Sequence, residues 1–339
     1  MSDLSLARRR FLVGFALSFC CVLATAAHAN WHSRSEGVMG TNIAVQLWHE
    51  DEAAAEEALD AVIREMHRIN ALMSTWQEDT QLSAVNRDAA DRPVSVSREL
   101  FGLIARALEF SELTQGAFDI TYASVGYLYD YRKGIKPEAK AVVQALKAVD
   151  YRFVTMDPQT HSIRFQREGV RIDLGGIAKG YAVERGNALL RARGIEHAIV
   201  TAGGDSRILG DRRGRPWTVG IRNPRTEGTV VTRIPLVDEA ISTSGDYERF
   251  FEVDGVRHHH ILRPGTGESP REVMSVTIIG PDATTTDALS TGVFVLGVKD
   301  GLALIDALDP YETVIIDARG QTHYSSGLVA PAANGNAGP

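Results

Sequence analysis

Between Trp217 and Ile279 the chain sets down five short runs of alternating or branched apolar residues, at 217–221, 230–236, 250–253, 256–262 and 275–279. A period of two is the signature of strands, and Asp254-Gly255, lying between two of the runs, is a hairpin turn signal. The earlier part mixes periods. Residues 41–49 alternate, whereas 52–72 carry Ala55, Leu59, Val62, Ile63, Met66 and Ile69 at the spacing of one helical face. Further helices are predicted at 100–113, at 137–149 with Pro137 in the first turn, and at 177–193. Residues 151–156 and 162–165 form a predicted hairpin pair, and 170–174 and 198–201 two more strands. Two helices at 283–296 and 299–308 and a strand at 313–316 close the order. No Pro- or Gly-rich linker divides the chain. The pattern predicts an α+β fold: a single compact domain of mostly antiparallel sheet covered by helices.

The N-terminus has a different character. Arg8-Arg9-Arg10 precedes an uncharged apolar run, 11–27, which closes on Ala27-His28-Ala29. This three-part pattern predicts a twin-arginine export signal over 1–29 and a periplasmic location. A membrane anchor would need a longer run, roughly 20 residues. Lipoprotein anchoring is the weaker reading, because Phe19 is too large for the position before Cys20 in Leu17-Ser18-Phe19-Cys20. The folded domain is then expected over 30–328, and the small, breaker-rich 329–339 as a disordered tail. Both cysteines, Cys20 and Cys21, fall inside the signal, so cysteine ligands, disulfides and cysteine nucleophiles are excluded from the exported chain. The formal net charge is −7; residues 1–29 hold Asp3, Arg8, Arg9 and Arg10, a net +2, which leaves −9 for the remainder. An acidic chain has no general attraction for nucleic acid. No segment after the signal is expected to span a membrane.

Six segments place glycine, acid and hydroxyl residues beside apolar runs. They are Met39-Gly40-Thr41, Met73-Ser74-Thr75-Trp76, Gly116-Ala117-Phe118-Asp119-Ile120-Thr121, the stretch from Asp173-Leu174-Gly175-Gly176 to Lys179-Gly180, Ala202-Gly203-Gly204-Asp205, and Ser242-Thr243-Ser244-Gly245-Asp246-Tyr247. Each alone is compatible with a turn or a cap. Together they suggest polar loops gathered on one rim of a sheet, where backbone can approach a ligand. No GxxxxGK[ST] or post-strand GxGxxG is present. Asp287 and Thr291 stand four apart, on one face of a predicted helix with Ser290 beside them. They are either hard oxygen ligands for Mg²⁺ or an ordinary capping and back-bonding pair.

Taken jointly, these segments resemble the ApbE family of FAD:protein FMN transferases, in the same order and at fitting intervals from Met39 to the Phe294-Val295-Leu296-Gly297 continuation. The resemblance implies a cleft for FAD, cleavage of its pyrophosphate with Mg²⁺, transfer of FMN to a Thr or Ser hydroxyl of an acceptor protein, and release of AMP. It also implies roles. Met39 and Trp76, the latter where Tyr is usual, flank the FAD. Ala117, Phe118 and Asp119 line its adenine and ribose end, and Asp173, Lys179 and Ile261 contact the nucleotide. The Gly176 carbonyl, Asp287 and Thr291 hold the metal, and His260 is the base. The chain departs from the family pattern at Arg263, where Asp is usual, and at Thr80, where Ser is usual. The twin-arginine signal resembles a NosX-like subgroup, which implies a NosR-like membrane protein as acceptor.

The run His258-His259-His260 is then three positions rather than one cluster. If the strand continues through it, His258 and His260 share one face, and His259 and Ile261 the other. A His258–His260 chelate is geometrically open. Mg²⁺ prefers oxygen, however, so His260 alone is expected to work, with His258 at the cleft mouth or exposed and His259 partly buried.

Overall fold

A computed structural model describes residues 30–328; the predicted export signal and tail lie outside the described residues. The strands, in chain order, are β1 (Asn30–Val38), β2 (Thr41–His49), β3 (Val94–Ser95), β4 (Val154–Asp157), β5 (Ser162–Phe165), β6 (Ala198–Ala202), β7 (Asp205–Leu209), β8 (Trp217–Arg222), β9 (Val230–Leu236), β10 (Ala240–Gly245), β11 (Phe250–Val253), β12 (Val256–His259), β13 (Val273–Gly280), β14 (Glu312–Asp317) and β15 (Thr322–Tyr324). The α-helices are α1 (Glu52–Met73), α2 (Gln81–Asp88), α3 (Arg98–Leu113), α4 (Ala123–Gly126), α5 (Ala139–Ala145), α6 (Ala178–Ala192) and α7 (Ala283–Asp306).

Eight strands form one sheet in the order β1-β2-β6-β7-β10-β13-β14-β15, and every pairing within it is antiparallel. Three helices pack on it side by side: α1 against β1 and β2, α6 against β6 and β7, and α7 against β10, β13 and β14. The expected α+β domain of antiparallel sheet under helices is what the chain forms. A second layer lies on the other face. The β8–β9 hairpin packs Trp217 and Leu236 onto Ile208, Ile241 and Ile279 of the sheet.

Local chemistry explains the helices. Asp51 caps α1, accepting from Ala53 N and Ala54 N, and Ala55, Leu59, Val62, Met66 and Ile69 are buried along one stripe. Each large apolar side chain so buried contributes about 1.5–3 kcal/mol. In α7 the expected two helices run together, separated by Gly297 at φ 81, ψ −175, a conformation only glycine adopts without strain. Counted as one helix, α7 is long and apolar enough to cross a membrane, contrary to the expectation of no such segment. Its apolar character has another cause: it is packed between the sheet and its neighbours α3 and α6.

Four expected elements differ. Residues 170–174 are not a strand. Their backbone is held by side chains and a turn: Asn86 bonds both polar groups of Ile172, the Ser124 hydroxyl accepts from Arg171 N, and Asp173 N donates to Ile120 O. Ser242-Thr243-Ser244 lies inside β10 rather than in a loop. The strand expected over 256–262 ends at His259. Tyr151–Phe153, expected to begin a strand, is a short 3₁₀ turn capped by Asp150.

Candidate active site

The site forms where the start of α6 meets the first turns of α7. The turn leading into α6 supplies no capping side chain, so its first N–H groups need acceptors from elsewhere. Asp287, projecting from α7, accepts from Gly180 N at 2.8 Å. A Cβ at Gly180 would sit 2.1 Å from the Ala283 carbonyl oxygen and 2.6 Å from Asp287 Cβ, so glycine is what lets the two helices approach.

Lys179, one residue earlier, points its ammonium into the same place. Nζ is 2.9 Å from Asp205 Oδ2, 3.2 and 3.4 Å from the two oxygens of Asp287, and 3.3 Å from the Gly175 carbonyl. Both carboxylates are almost fully buried. Burial opposes the lysine's charge, but Asp205 and Asp287 outweigh it and raise its pKa. Burial first, and then the Asp205 charge, push Asp287 up to about 7 against the pull of Lys179 and of Gly180 N.

Thr291 stands one helical turn beyond Asp287. Its Oγ1 is 3.4 Å from Ser244 Oγ, which is 2.8 Å from Ser290 Oγ. A Cβ on Gly176 would lie 3.2 Å from both Thr291 Oγ1 and the Phe118 ring, so the Gly176 backbone runs directly against the threonine. The three expected oxygen donors, Gly176, Asp287 and Thr291, are thus brought to one end of α6 and α7.

His260 follows β12, and its backbone N–H donates to the Arg249 carbonyl. Its Nδ1 is buried without a hydrogen-bond partner. Burial, then the positive charges of Arg249 and, further down, Lys179, hold the imidazole at about 3, so it is neutral near pH 7. The Arg249 guanidinium donates to the Gly40 carbonyl at 3.1 Å, beside Met39, which itself turns at φ 58. Asp173 accepts from Gly175 N at 2.7 Å, from Thr75 Oγ1 at 3.0 Å and from the half-buried Tyr122 hydroxyl at 3.3 Å. This ties the Ser74-Thr75-Trp76 loop to the entry of α6.

The remaining expected residues divide by exposure. Trp76 is 85% exposed, with the Arg132 guanidinium 6.0 Å from its ring centre. Phe118 and Ile261 turn their side chains into the core, so they can offer a ligand main chain; Ala117 is half-buried beside them. The Asp119 carboxylate caps its own turn, accepting from Thr121 N, Thr121 Oγ1 and Tyr151 N. The histidine run separates into three positions, and two of them differ from expectation in exposure. His258 is buried, stacked on Phe251, its cross-strand partner in the β11–β12 hairpin. His259 is fully buried, its Nε2 facing the Pro270 carbonyl, which makes Nε2 the protonated nitrogen. Arg263 pairs with Glu272, and backbone bonds from Arg263, Thr266 and Gly267 close the loop without the usual aspartate. Thr80 caps α2 through Ser83 N and donates to the Ser74 carbonyl, doing the work of a serine there. Two members were not singled out from sequence. Asp205 lay unmarked inside a glycine-rich segment, and Arg249 carries no pattern that distinguishes it from a surface arginine.

No group of three or more His, Cys, Asp or Glu side chains able to hold a metal occurs among the described residues. The oxygen set fits a hard cation nonetheless. Two buried carboxylates share one ammonium, which leaves a negative charge uncompensated, and Asp205 Oδ2 receives no hydrogen bond despite its nearness to Lys179. A carbonyl, a carboxylate and a hydroxyl are ligands of the kind Mg²⁺ takes.

The model of the ApbE family matches residues 39–315. The FAD:protein FMN transferase of Treponema pallidum is 34% identical over 322 residues, covering 89% of each chain. That of Vibrio cholerae is 31% identical, covering 86% of this chain and 90% of the relative. Among solved structures, the ApbE protein of Thermotoga maritima superposes with a TM-score of 0.82 at 36% identity, over 88% of this chain and 98% of that one. The flavin transferase ApbE of Vibrio cholerae gives 0.79 at 28% identity, with the same coverage.

Proposed function

From the premise that the chain belongs to the ApbE family and is a flavin transferase, we propose that it is a Mg²⁺-dependent FAD:protein FMN transferase of the periplasm. It acts there on a Thr or Ser of an exported or membrane redox protein, with a NosR-like protein as the first acceptor to try. The Arg8-Arg9-Arg10 signal supports the location. The observation that carries the chemistry is the convergence of Gly176, Asp287, Thr291 and Lys179 on the meeting point of α6 and α7, with the neutral His260 near enough to feel the Lys179 charge.

In the reaction the acceptor hydroxyl oxygen bonds to the FMN phosphorus of FAD. The bond from that phosphorus to the bridging oxygen breaks, and AMP leaves with the bridging oxygen. The hydroxyl proton passes to His260, whose neutral ring is ready to take it. Burial first, and then Arg249 and Lys179, depress the basicity of that ring, and the phosphates of bound FAD would offset the two charges though not the burial. On this reading Lys179 binds a phosphate oxygen, Met39 and Trp76 flank the flavin, and Asp173 contacts the nucleotide. Mg²⁺, held by the Gly176 carbonyl, Asp287 and Thr291, would supply charge neutralisation on the pyrophosphate.

The test is mass spectrometry of the acceptor after incubation with the purified chain, FAD and Mg²⁺. A mass gain of one FMN, dependent on Mg²⁺, is expected. Release of FMN and AMP with the acceptor unmodified would make the chain an FAD pyrophosphatase, and FAD left intact would make it a binding protein.

A further inference from the structure

Asp205 is a charged side chain with a relative exposure of 1%, and neither the oxygen set nor the base requires it. Its backbone is locked on both sides, paired with Ala202 of β6 and Ser242 of β10. The turn before it is equally constrained. Gly203 is left-handed at φ 60, and a Cβ on Gly204 would sit 2.6 Å from the Thr243 carbonyl oxygen. The carboxylate therefore has little freedom of direction, and its nearest cation is Lys179 at 2.9 Å.

An ammonium has three N–H donors. Those of Lys179 bond Asp287 and the Gly175 carbonyl, and Asp205 stands 2.9 Å away as a charge partner without an aligned hydrogen bond. Asp287 cannot serve a divalent cation and the lysine equally, since a metal ligand gives its charge to the metal. We propose that Asp205 is a positioning residue, the counter-ion that keeps Lys179 in place when Asp287 turns to Mg²⁺. The inference rests on the Mg²⁺ reading above. Without Asp205 the ammonium has one carboxylate left and collapses onto it, so lysine and metal compete for Asp287.

The competition gives a signature that a simple loss of negative charge does not. Asp205→Asn should weaken binding of Mn²⁺, used as the probe of the Mg²⁺ site, by at least tenfold in the presence of FAD. Lys179→Met added to it should recover most of that loss, because the competitor is gone. Binding is read from the free-ion EPR signal, without reference to turnover, and circular dichroism checks that each variant is folded. If the double variant binds Mn²⁺ as weakly as Asp205→Asn, or if Asp205→Asn binds as well as the unaltered chain, Asp205 does not act through Lys179 and the proposal is overturned. If the unaltered chain itself takes up no Mn²⁺ with FAD present, the Mg²⁺ reading fails and the proposal with it. Should Asp205→Asn not fold, Asp205→Glu, which keeps the charge one methylene further out, is expected to retain metal binding within about threefold; a tenfold loss in that variant would also overturn the proposal.

Discussion

Asn86→Ala tests whether a single side chain stands in for a missing strand neighbour. Asn86 Oδ1 accepts from Ile172 N at 2.7 Å, and Nδ2 donates to Ile172 O at 2.8 Å. Ile172 itself is fully buried. Truncation leaves a buried N–H and a buried C=O unpaired, each costing about 1–3 kcal/mol. Asn86 is only half-buried, so water can reach part of the gap; the lower half of the range applies, about 2–4 kcal/mol in total. For a chain of this size that corresponds to a Tm lower by roughly 3–6 °C. Equilibrium urea unfolding at 25 °C measures the free energy, and FAD binding by fluorescence quenching measures the effect on Asp173, the next residue. Asn86→Asp gives a second reading. It keeps the acceptor for Ile172 N but aims a carboxylate oxygen at the Ile172 carbonyl. That group's folded-state pKa is raised, so its stability deficit should grow as pH rises from 4 to 8. A cost below about 0.5 kcal/mol for Asn86→Ala, or a pH-independent deficit for Asn86→Asp, would refute the clamp.

Removing Lys179 as Lys179→Met breaks a largely buried ion pair and should cost about 3 kcal/mol at pH 8. Asp287 is already raised to about 7 and loses its main restraint, so the folded state favours the protonated acid. The deficit should shrink as pH falls from 8 through about 7 and level off below, where Asp287 is protonated with or without the lysine, and urea unfolding at pH 8 and 5.5 that gave equal deficits would count against it. His260→Ala should slow FMN transfer by roughly 10²–10⁴-fold with FAD affinity little changed; an unaltered rate moves the base elsewhere. The obvious substitute, Asp246, is engaged by Arg225 at 2.8 and 2.6 Å. Because His260 is held at about 3 when folded and titrates near 6.5 when unfolded, it withdraws stability as pH falls from about 6.5 towards 3. His260→Gln should therefore flatten that limb of the acid-unfolding curve, though not abolish it, since His258 and His259 are lowered in the same sense. Gly297→Ala meets no atom within 4 Å, so its cost is backbone strain alone, about 1–3 kcal/mol by calorimetry; no loss would mean that α7 re-forms around the alanine.

What could be foreseen from the sequence follows from how each residue earns its place. The stripe of α1 and the break at Gly297 were legible because apolar period and glycine punctuation are local signals. The nearness of Gly176 to Thr291 was foreshadowed by motif order, although only the packing of both Phe118 and Thr291 against Gly176 shows why glycine is needed. Residues 170–174 misled because they are apolar and short, as a strand is, while the partners that hold them are 47 to 86 residues away. Strand β10 hid for the opposite reason. Ser242, Thr243 and Ser244 look like a loop, yet each hydroxyl finds a partner across the fold: Thr286, Thr277 and Ser290 respectively. Polar residues in a buried strand are tolerated when they are paired, and pairing at that distance leaves no trace in local sequence.

The three histidines make the same point within one tripeptide. Alternation would put His258 and His260 together, but β12 stops at His259, and the chain bends where the His260 N–H joins the Arg249 carbonyl. From there the rings diverge. His258 stacks on Phe251, and His259 is anchored to Pro270 and packed edge-on to Phe294. Both have found apolar or backbone partners that fix them in the core. His260 has not. Its buried Nδ1 lacks a partner, and the neighbouring charges of Arg249 and Lys179 are ones that an anion would relieve. His259 Nδ1 is likewise buried without a partner, so an unmade bond alone does not single out His260. The Arg249 and Lys179 charges that press on its ring do; on the proposed reading the FAD phosphates offset those charges and the acceptor hydroxyl gives the ring its partner.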